Sequence, residues 1–311
     1  MAVSGQGQTY NLPNFVGELF RVMPQDTPFK NLAATNGIRR VASKIFTWQT
    51  VGNSSASQPA IVEGADPVYS EEARSEASNV VQIFQYGVEV SYTKLGAIGQ
   101  LGTPSASATP VLGDQPVTNE LEFQQALKLD LASEDMEYSF LNGSYQAPSD
   151  NNTGRKTRGV ITAITTNTVA AGTTDLAKDH IDELLRKMHS NRARFVRPVL
   201  MGQAIQIQRL GQIYGFAPES RTEGGVNIQR IITEFGELGV VMNRHVASGT
   251  LACFDMAICK PVVMPIPGKG ELFLEPKPAS GASSKMMLYG EWGIQYGPEQ
   301  YHGKITGLTT S

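Results

Sequence analysis

The sequence predicts an α+β protein with an irregular, extended body, and three observations carry that prediction. The 31 Gly and 17 Pro among 311 residues cluster between apolar runs, which marks turns and loops and argues against a helical bundle or coiled coil. Runs rich in β-branched and aromatic residues recur along the chain and read as strands. One segment, after Thr118, carries helical periodicity on two faces at once, where the surface helix of a monomer needs only one. The length allows about two domains.

Residues 1–43 read as an arm in which Phe15, Leu19, Phe20 and Met23 make a short amphipathic stretch that stops at Pro24. Lys44 to Val51 and Asn79 to Thr93 read as the strands of a long hairpin, separated by 27 residues dominated by Ser, Ala, Gln and Glu. Such a polar tip cannot offset an ordering cost of about 1 to 2 kcal/mol per residue with its own few apolar groups. Its partners are therefore expected on another molecule.

Residues 99–116 are a Gly/Ser/Ala/Pro linker, and Thr118 stands before a helix of roughly 24 residues over about 117–141, some 36 Å long. On a helical wheel Leu121, Leu129, Ala132, Met136 and Phe140 form one apolar stripe. Phe123, Leu127, Leu131, Tyr138 and Leu141 form the other, with Asp130 and Glu137 on a seam between them. Both stripes are expected to be buried between layers.

After a turn-rich loop, Val160 to Thr165 reads as a strand, and residues 175–300 look α/β. Asp175 to His189 is an amphipathic helix, Phe195 to Met201 a strand and Ala204 to Ile213 a second helix. Ile228 to Thr233, Gly239 to Met242, Leu251 to Met264, Glu271 to Pro276, Lys285 to Ile294 and Ile305 to Leu308 then read as strands of a sheet. No internal repeat is visible.

Charged residues make up 18% of the chain, where about 25% is usual. The net charge of −3 disfavours a general nucleic-acid binder held by phosphate contacts. The total conceals blocks: +3 over residues 1–44, −4 over 52–79, −6 over 114–140 and +6 over 151–230. These fit either solvated faces or complementary surfaces on neighbouring copies of one chain. In the second case Glu63, Asp66, Glu71, Glu72 and Glu76 of the tip would face basic residues such as Arg192, Arg194 and Arg197 of another copy.

Chemistry is not advertised. His180, His189, His245 and His302 lack metal spacing and read as surface or capping residues. Cys253 and Cys259, on one strand, would lie about 20 Å apart, too far to bridge, so reduced buried thiols are expected. Asp150 to Gly154 opens like a calcium loop but has Gly154 and Ile161 where ligands belong. Gly268-Lys269-Gly270 lacks the rest of a phosphate loop. Arg155, Lys156 and Arg158 read as solvated loop residues. No catalytic residue, metal site or cofactor is expected. No apolar run of about 18 residues or signal peptide is present, so a soluble chain is expected.

Asp26-Thr27-Pro28-Phe29, Phe46-Thr47-Trp48-Gln49-Thr50 and Glu299-Gln300-Tyr301-His302-Gly303-Lys304-Ile305-Thr306-Gly307-Leu308 together resemble segments of tailed-bacteriophage major capsid proteins. The order of elements supports the resemblance along nearly the whole chain. It implies an N-terminal arm over 1–43, an extended β-hairpin loop over 44–93, a peripheral domain with a long spine helix over 94–174, an axial domain over 175–266, and a return to the peripheral domain over 267–311. Leu121, Phe123, Leu127, Leu129, Leu131 and Met136 would be the packing residues of the spine.

The implied function is a structural, non-enzymatic subunit. Copies would self-assemble as hexamers and pentamers into an icosahedral head enclosing double-stranded DNA without sequence specificity. Asp130, Glu134, Asp135 and Glu137 would give its inner surface a weakly acidic character. Separate scaffolding, portal and decoration proteins are the implied partners, the virion the location and the host cytoplasm the place of assembly, with no membrane role. No motif for a covalent Lys–Asn cross-link can be carried over. An encapsulin-like nanocompartment shell shares the implied fold, and an oligomeric enzyme with a pocket in 175–266 is the reading from another class.

Overall fold

The computed structural model describes residues 26–52, 56–95, 120–150, 152–215 and 221–310. The expected stretch Phe15 to Met23, the linker 99–116 and the position of Thr118 lie outside them.

The chain begins with α1 (Pro28–Ala34), β1 (Arg39–Arg40) and β2 (Ile45–Val51), then β3 (Arg74–Val80) and β4 (Gln82–Ser91). The long helix is α2 (Glu120–Asn142), followed by α3 (Val160–Ala163), β5 (Thr168–Thr174), α4 (Lys178–Ser190), β6 (Pro198–Gly202) and α5 (Ala204–Tyr214). The rest is largely strands: β7 (Arg221–Glu223), β8 (Val226–Thr233), β9 (Gly236–Met242), β10 (Leu251–Asp255), β11 (Lys260–Val263), β12 (Leu272–Lys277), β13 (Ser283–Gln295) and β14 (Gly303–Leu308).

Two larger sheets organise the chain. In the five-stranded sheet β13 is the long central strand, with β12 and β11 along one edge, β4 along the other, and β1 parallel to β11. The seven-stranded sheet runs β5-β14-β10-β6-β9-β8-β7. Its side chains alternate between two cores. Leu200 of β6, Leu251 and Cys253 of β10 and Val240 of β9 meet Ile181, Leu184, Leu185 and Met188 of α4. Val199 and Met201, Ala252 and Phe254, and Val241 meet Phe29 of α1 and Met136 and Phe140 of α2 on the other face. A sheet covered on both faces has nearly continuous apolar strands, which is why β10 reads as an unbroken run.

Three expectations are corrected. The run 79–93 is not one hairpin strand: β3 pairs antiparallel with β2 from Ile45↔Val80 to Val51↔Arg74, whereas β4 pairs with β13. Val80 and Val81 are both buried, which no half-buried strand allows at consecutive positions, and the chain passes from one sheet to the next there. The run 251–264 divides in the same way, β10 joining the larger sheet and β11 the smaller.

Val160 to Thr165 is a helical turn, not a strand. It packs on the C-terminal end of α2 through Gly143 and Gly159, where a Cβ on Gly143 would sit 2.4 Å from the carbonyl oxygens of Ser139 and Thr157. The Gly159 amide donates to the Gly143 carbonyl at 2.8 Å, and this backbone-to-backbone crossing leaves the strand to begin at Thr168. β5 and β14 belong to the seven-stranded sheet and β11 to the five-stranded one.

Candidate assembly surfaces

The β2–β3 hairpin is rooted on β13 and open at its far end. Phe46 and Trp48 are buried, the Trp48 ring standing edge-on to Tyr296 at 5.0 Å, while outward of them Val51 is exposed. Beyond the strands the tip has no buried residue among those described. Ile61, Val62, Val68 and Tyr69 are 68, 80, 94 and 89% exposed, interleaved with exposed Glu63, Asp66, Glu71 and Glu72. Glu76 is also exposed but lies on β3 opposite Gln49. Acidic residues keep such a segment in water, and its large apolar side chains give it something to bury.

Of the three basic residues expected to receive the tip, Arg192 and Arg194 are exposed on the turn after α4. Arg197 is not available in that way, which corrects its expected role. Its guanidinium pairs with Glu223 at 2.6 Å and donates to the Leu32 carbonyl at 2.9 Å and to Thr35 Oγ1 at 3.1 Å. A half-buried guanidinium needs several acceptors, and the C-terminal end of α1 supplies them within the chain. The cleft beside it, about 240 Å³ and lined by Phe195, Ile228 and Gly239, also holds Arg230 bonded to Glu237 at 2.8 Å. Each base there is committed to an acid.

In α2 both stripes are partly buried and partly open. Met136 and Phe140 of one stripe and Leu141 of the other are buried, and Leu121, Phe123 and Leu127 are half-buried. Leu129, Leu131 and Tyr138 are 43, 37 and 55% exposed, so within one chain the helix is covered chiefly over its C-terminal half. The acidic residues divide too. Asp135, half-buried, accepts from the Tyr86 hydroxyl at 2.5 Å, whereas Glu137 is fully buried and adds no charge to a surface.

Glu137 is the joint that sequence reasoning missed. Its carboxylate accepts from the amides of Phe29 at 2.8 Å and Lys30 at 2.6 Å, and from Asn243 Nδ2 at 2.7 Å, tying α1, α2 and the end of β9 together. Burial pushes its pKa up to about 7 against the pull of these donors and of the Lys30 charge. The available signal was a lone carboxylate among Met136, Tyr138, Phe140 and Leu141, in the part of the helix that is apolar all round.

Other buried polar groups were also read as solvated. Arg155 forms a buried ion pair with Glu291, which also accepts from the Tyr289 hydroxyl at 2.7 Å. Arg158 lies over the Tyr145 ring at 4.6 Å. His302 is fully buried, its Nδ1 accepting from the Asp255 amide at 3.2 Å and its Nε2 bonded to the Tyr296 carbonyl at 2.7 Å. That pattern fixes the neutral ring with the proton on Nε2, and burial holds its pKa below 6.5. His180 does act as a cap, its Nδ1 accepting from the Ala177 amide at 3.3 Å. Cys253 and Cys259 are buried thiols, and burial raises both pKa values.

Among the described residues no group of three or more His, Cys, Asp and Glu is placed to hold a metal ion, and no helix is long and apolar enough to cross a membrane. What the described surfaces offer is contact area: an acidic and apolar tip, an uncovered part of the α2 stripes and an exposed basic turn.

The comparisons agree with that reading. A sequence model of the family described as "SU10 major capsid protein" matches residues 2–309. No curated protein matches the chain significantly. Among solved structures, the chain is similar to the capsid protein of cyanophage A-1(L), with a TM-score of 0.68 at 12% identity over 99% of each chain. It is similar to the capsid protein of Myoviridae phage XM1, with 0.63 at 12% identity over 98% of this chain and all of that one. The holo-SrpI encapsulin of Synechococcus elongatus PCC 7942 shares the fold at 0.56 and 11% identity, covering 94% of this chain and 93% of its own.

Proposed function

We start from the premise that this chain belongs to the SU10 major capsid protein family, and we infer the working of the subunit from it. The protein is a structural major capsid protein, and copies of it self-assemble into the shell of a virion. The family match over residues 2–309 is the observation that carries this, and the family is one of structural capsid proteins.

Beyond that, we propose that the shell is a closed icosahedral head of hexamers and pentamers holding the double-stranded DNA of a tailed phage. A net charge of −3 suits DNA that must slide rather than adhere, since strong sequence-independent binding needs many basic phosphate contacts. In this reading the β2–β3 hairpin is the extended loop, α2 the spine, the five-stranded sheet the peripheral domain and the seven-stranded sheet with α4 and α5 the axial domain. The tip, with Glu63, Asp66, Glu71 and Glu72, would lie over a neighbouring copy, where Arg192 and Arg194 present a basic turn. Separate scaffolding, portal and decoration proteins, and assembly in the host cytoplasm, belong to the same proposal.

Electron microscopy of the purified protein tests it. Closed shells containing DNA after phage production are expected, whereas a monomer or dimer under every assembly condition would refute it. The encapsulin fold is close enough that shells filled with a protein cargo are the rival outcome.

A further inference from the structure

The hairpin that carries the tip leaves the five-stranded sheet between Val80 and Gln82, and one side chain organises that departure. Asn79 is fully buried. Its Nδ2 donates to the carbonyls of Arg158 at 3.1 Å and Ile294 at 2.8 Å, and its Oδ1 accepts from the amides of Val80 at 2.9 Å and Arg158 at 2.8 Å. Both amide hydrogens and both lone pairs are thus used.

The exchange with Arg158 reproduces the two bonds a neighbouring strand would make. Ile294 lies just past the last β4–β13 pair, Gln82↔Trp292, so the carboxamide continues the edge of β13 where the backbone has turned away. Asn is a poor strand residue, and its presence within a run that pairs with Phe46 breaks a local rule. Such breaks point to a special role.

The surroundings leave the root little freedom. The Val81 amide donates to the Lys44 carbonyl at 3.0 Å and closes the hairpin base. A Cβ on Gly293 would sit 2.8 Å from the Val80 carbonyl and 3.1 Å from Phe46, so β13 and the root touch without a side chain between them. No comparable clasp exists farther out among the described residues, where Thr50 and Ser75 share an exposed hydroxyl contact. The seven-residue strands span about 23 Å. A rotation of about 5° at the root therefore moves their far end by about 2 Å, enough to take apolar atoms out of contact.

We propose that the Asn79 carboxamide, clasped between Arg158 and Ile294, is a positioning residue. It sets the angle at which the hairpin projects, and through it the shell geometry into which subunits close. The inference rests on the capsid reading, because projection angle matters only where the tip must land on another copy.

The test compares the unmodified protein with Asn79→Leu, which keeps the number of side-chain heavy atoms and the branch at Cγ and removes the bonds. A control, Leu185→Ala in the α4 core, destabilises the fold away from the root. Two quantities are read: shell diameters by cryo-electron microscopy, and the distance between spin labels on Val51→Cys, at the far end of the paired strands, and Asp179→Cys in unassembled subunits, both positions being exposed. Asn79→Leu is expected to fold, to shift or broaden the label distance, and to give open or mixed-diameter shells, while the control retains a single diameter and distance. An unchanged distance, unchanged shells, or equal heterogeneity in the control overturns the proposal. If Asn79→Leu does not fold, Asn79→Ser, which retains one donor and acceptor, carries the same readouts. Failure of the unmodified protein to form shells would sink the capsid reading alone, since the label distance still decides the role of Asn79.

Discussion

Replacing Glu137 by Ala removes the one acceptor shared by two α1 amides and by Asn243, whose nitrogens lie 2.8, 2.6 and 2.7 Å from its oxygens. Each buried donor left without a partner costs roughly 1 to 3 kcal/mol. The penalties do not add fully, because α1 can lift and admit water. With seven residues α1 has no stability of its own to resist that. We expect a net loss of about 3 kcal/mol, which lowers Tm by roughly 6 °C or more. Glu137→Gln should lose less than Glu137→Ala, since it keeps one acceptor oxygen, and more than nothing, since its amide nitrogen then faces a donor it cannot satisfy. Thermal unfolding gives the size of the effect, and hydrogen exchange at the Phe29 and Lys30 amides gives its location. An alanine variant with unchanged Tm and unchanged protection at those two amides would refute the assignment of Glu137 as the joint.

Met136→Asp should prevent folding, because an unpaired carboxylate in an apolar layer costs several kcal/mol, whereas Leu131→Asp should fold and lose assembly; circular dichroism and sedimentation distinguish the two. Deleting residues 53–72 and closing the hairpin with a short turn should leave a folded subunit that forms no stable shells, and normal shells from that deletion would contradict the tip's intermolecular role. Two buried groups should give opposite pH dependences. Burial raises Glu137 to about 7 from an ordinary 4.5, so its contribution is full below about 4.5 and is lost as pH rises through 7. The folded pKa of His302 is depressed below 6.5, so its contribution is present above 6.5 and lost as pH falls. Urea midpoints from pH 5 to 8 should therefore fall more steeply toward acid in Glu137→Gln and less steeply in His302→Gln than in the unmodified chain.

What the sequence made legible was whatever period and turn chemistry determine. The helix expected over 117–141 is Glu120–Asn142, and the amphipathic helix with Ile181, Leu184, Leu185 and Met188 is Lys178–Ser190, because an apolar stripe has one physical meaning. The mixed fold and the capsid family were legible from the order of such elements. Sheet membership was not: nothing local in Leu251 to Met264 says that the chain changes sheets within it, and Val160-Ile161-Thr162 has strand propensity that the crossing at Gly143 overrides. The inward turns of Arg197, Arg155 and His302 escaped for the same reason, since Glu223 and Leu32, Glu291 and Asp255 lie distant from them in sequence.

The exposed apolar residues place a limit on how the shell coheres. Ile61, Val62, Val68 and Tyr69 on the tip would each gain about 1.5 to 3 kcal/mol if fully buried, a gross gain of roughly 6 to 12 kcal/mol. Ordering the tip works against it at about 1 to 2 kcal/mol per residue, and more than ten residues lie between Val51 and Arg74. The tip contact alone is therefore weak, and acid–base pairs at its rim add only about 0 to 1 kcal/mol each. Cohesion must be shared with other surfaces, and α2 leaves apolar residues of both stripes open within its own chain, at Leu129, Leu131 and Tyr138. Weak contacts repeated around a closed ring suit assembly, because each copy gives and receives one, and a misplaced copy can leave before the ring closes. On this argument Leu131→Asp and the tip deletion should each abolish stable shells, since neither surface has cohesion to spare.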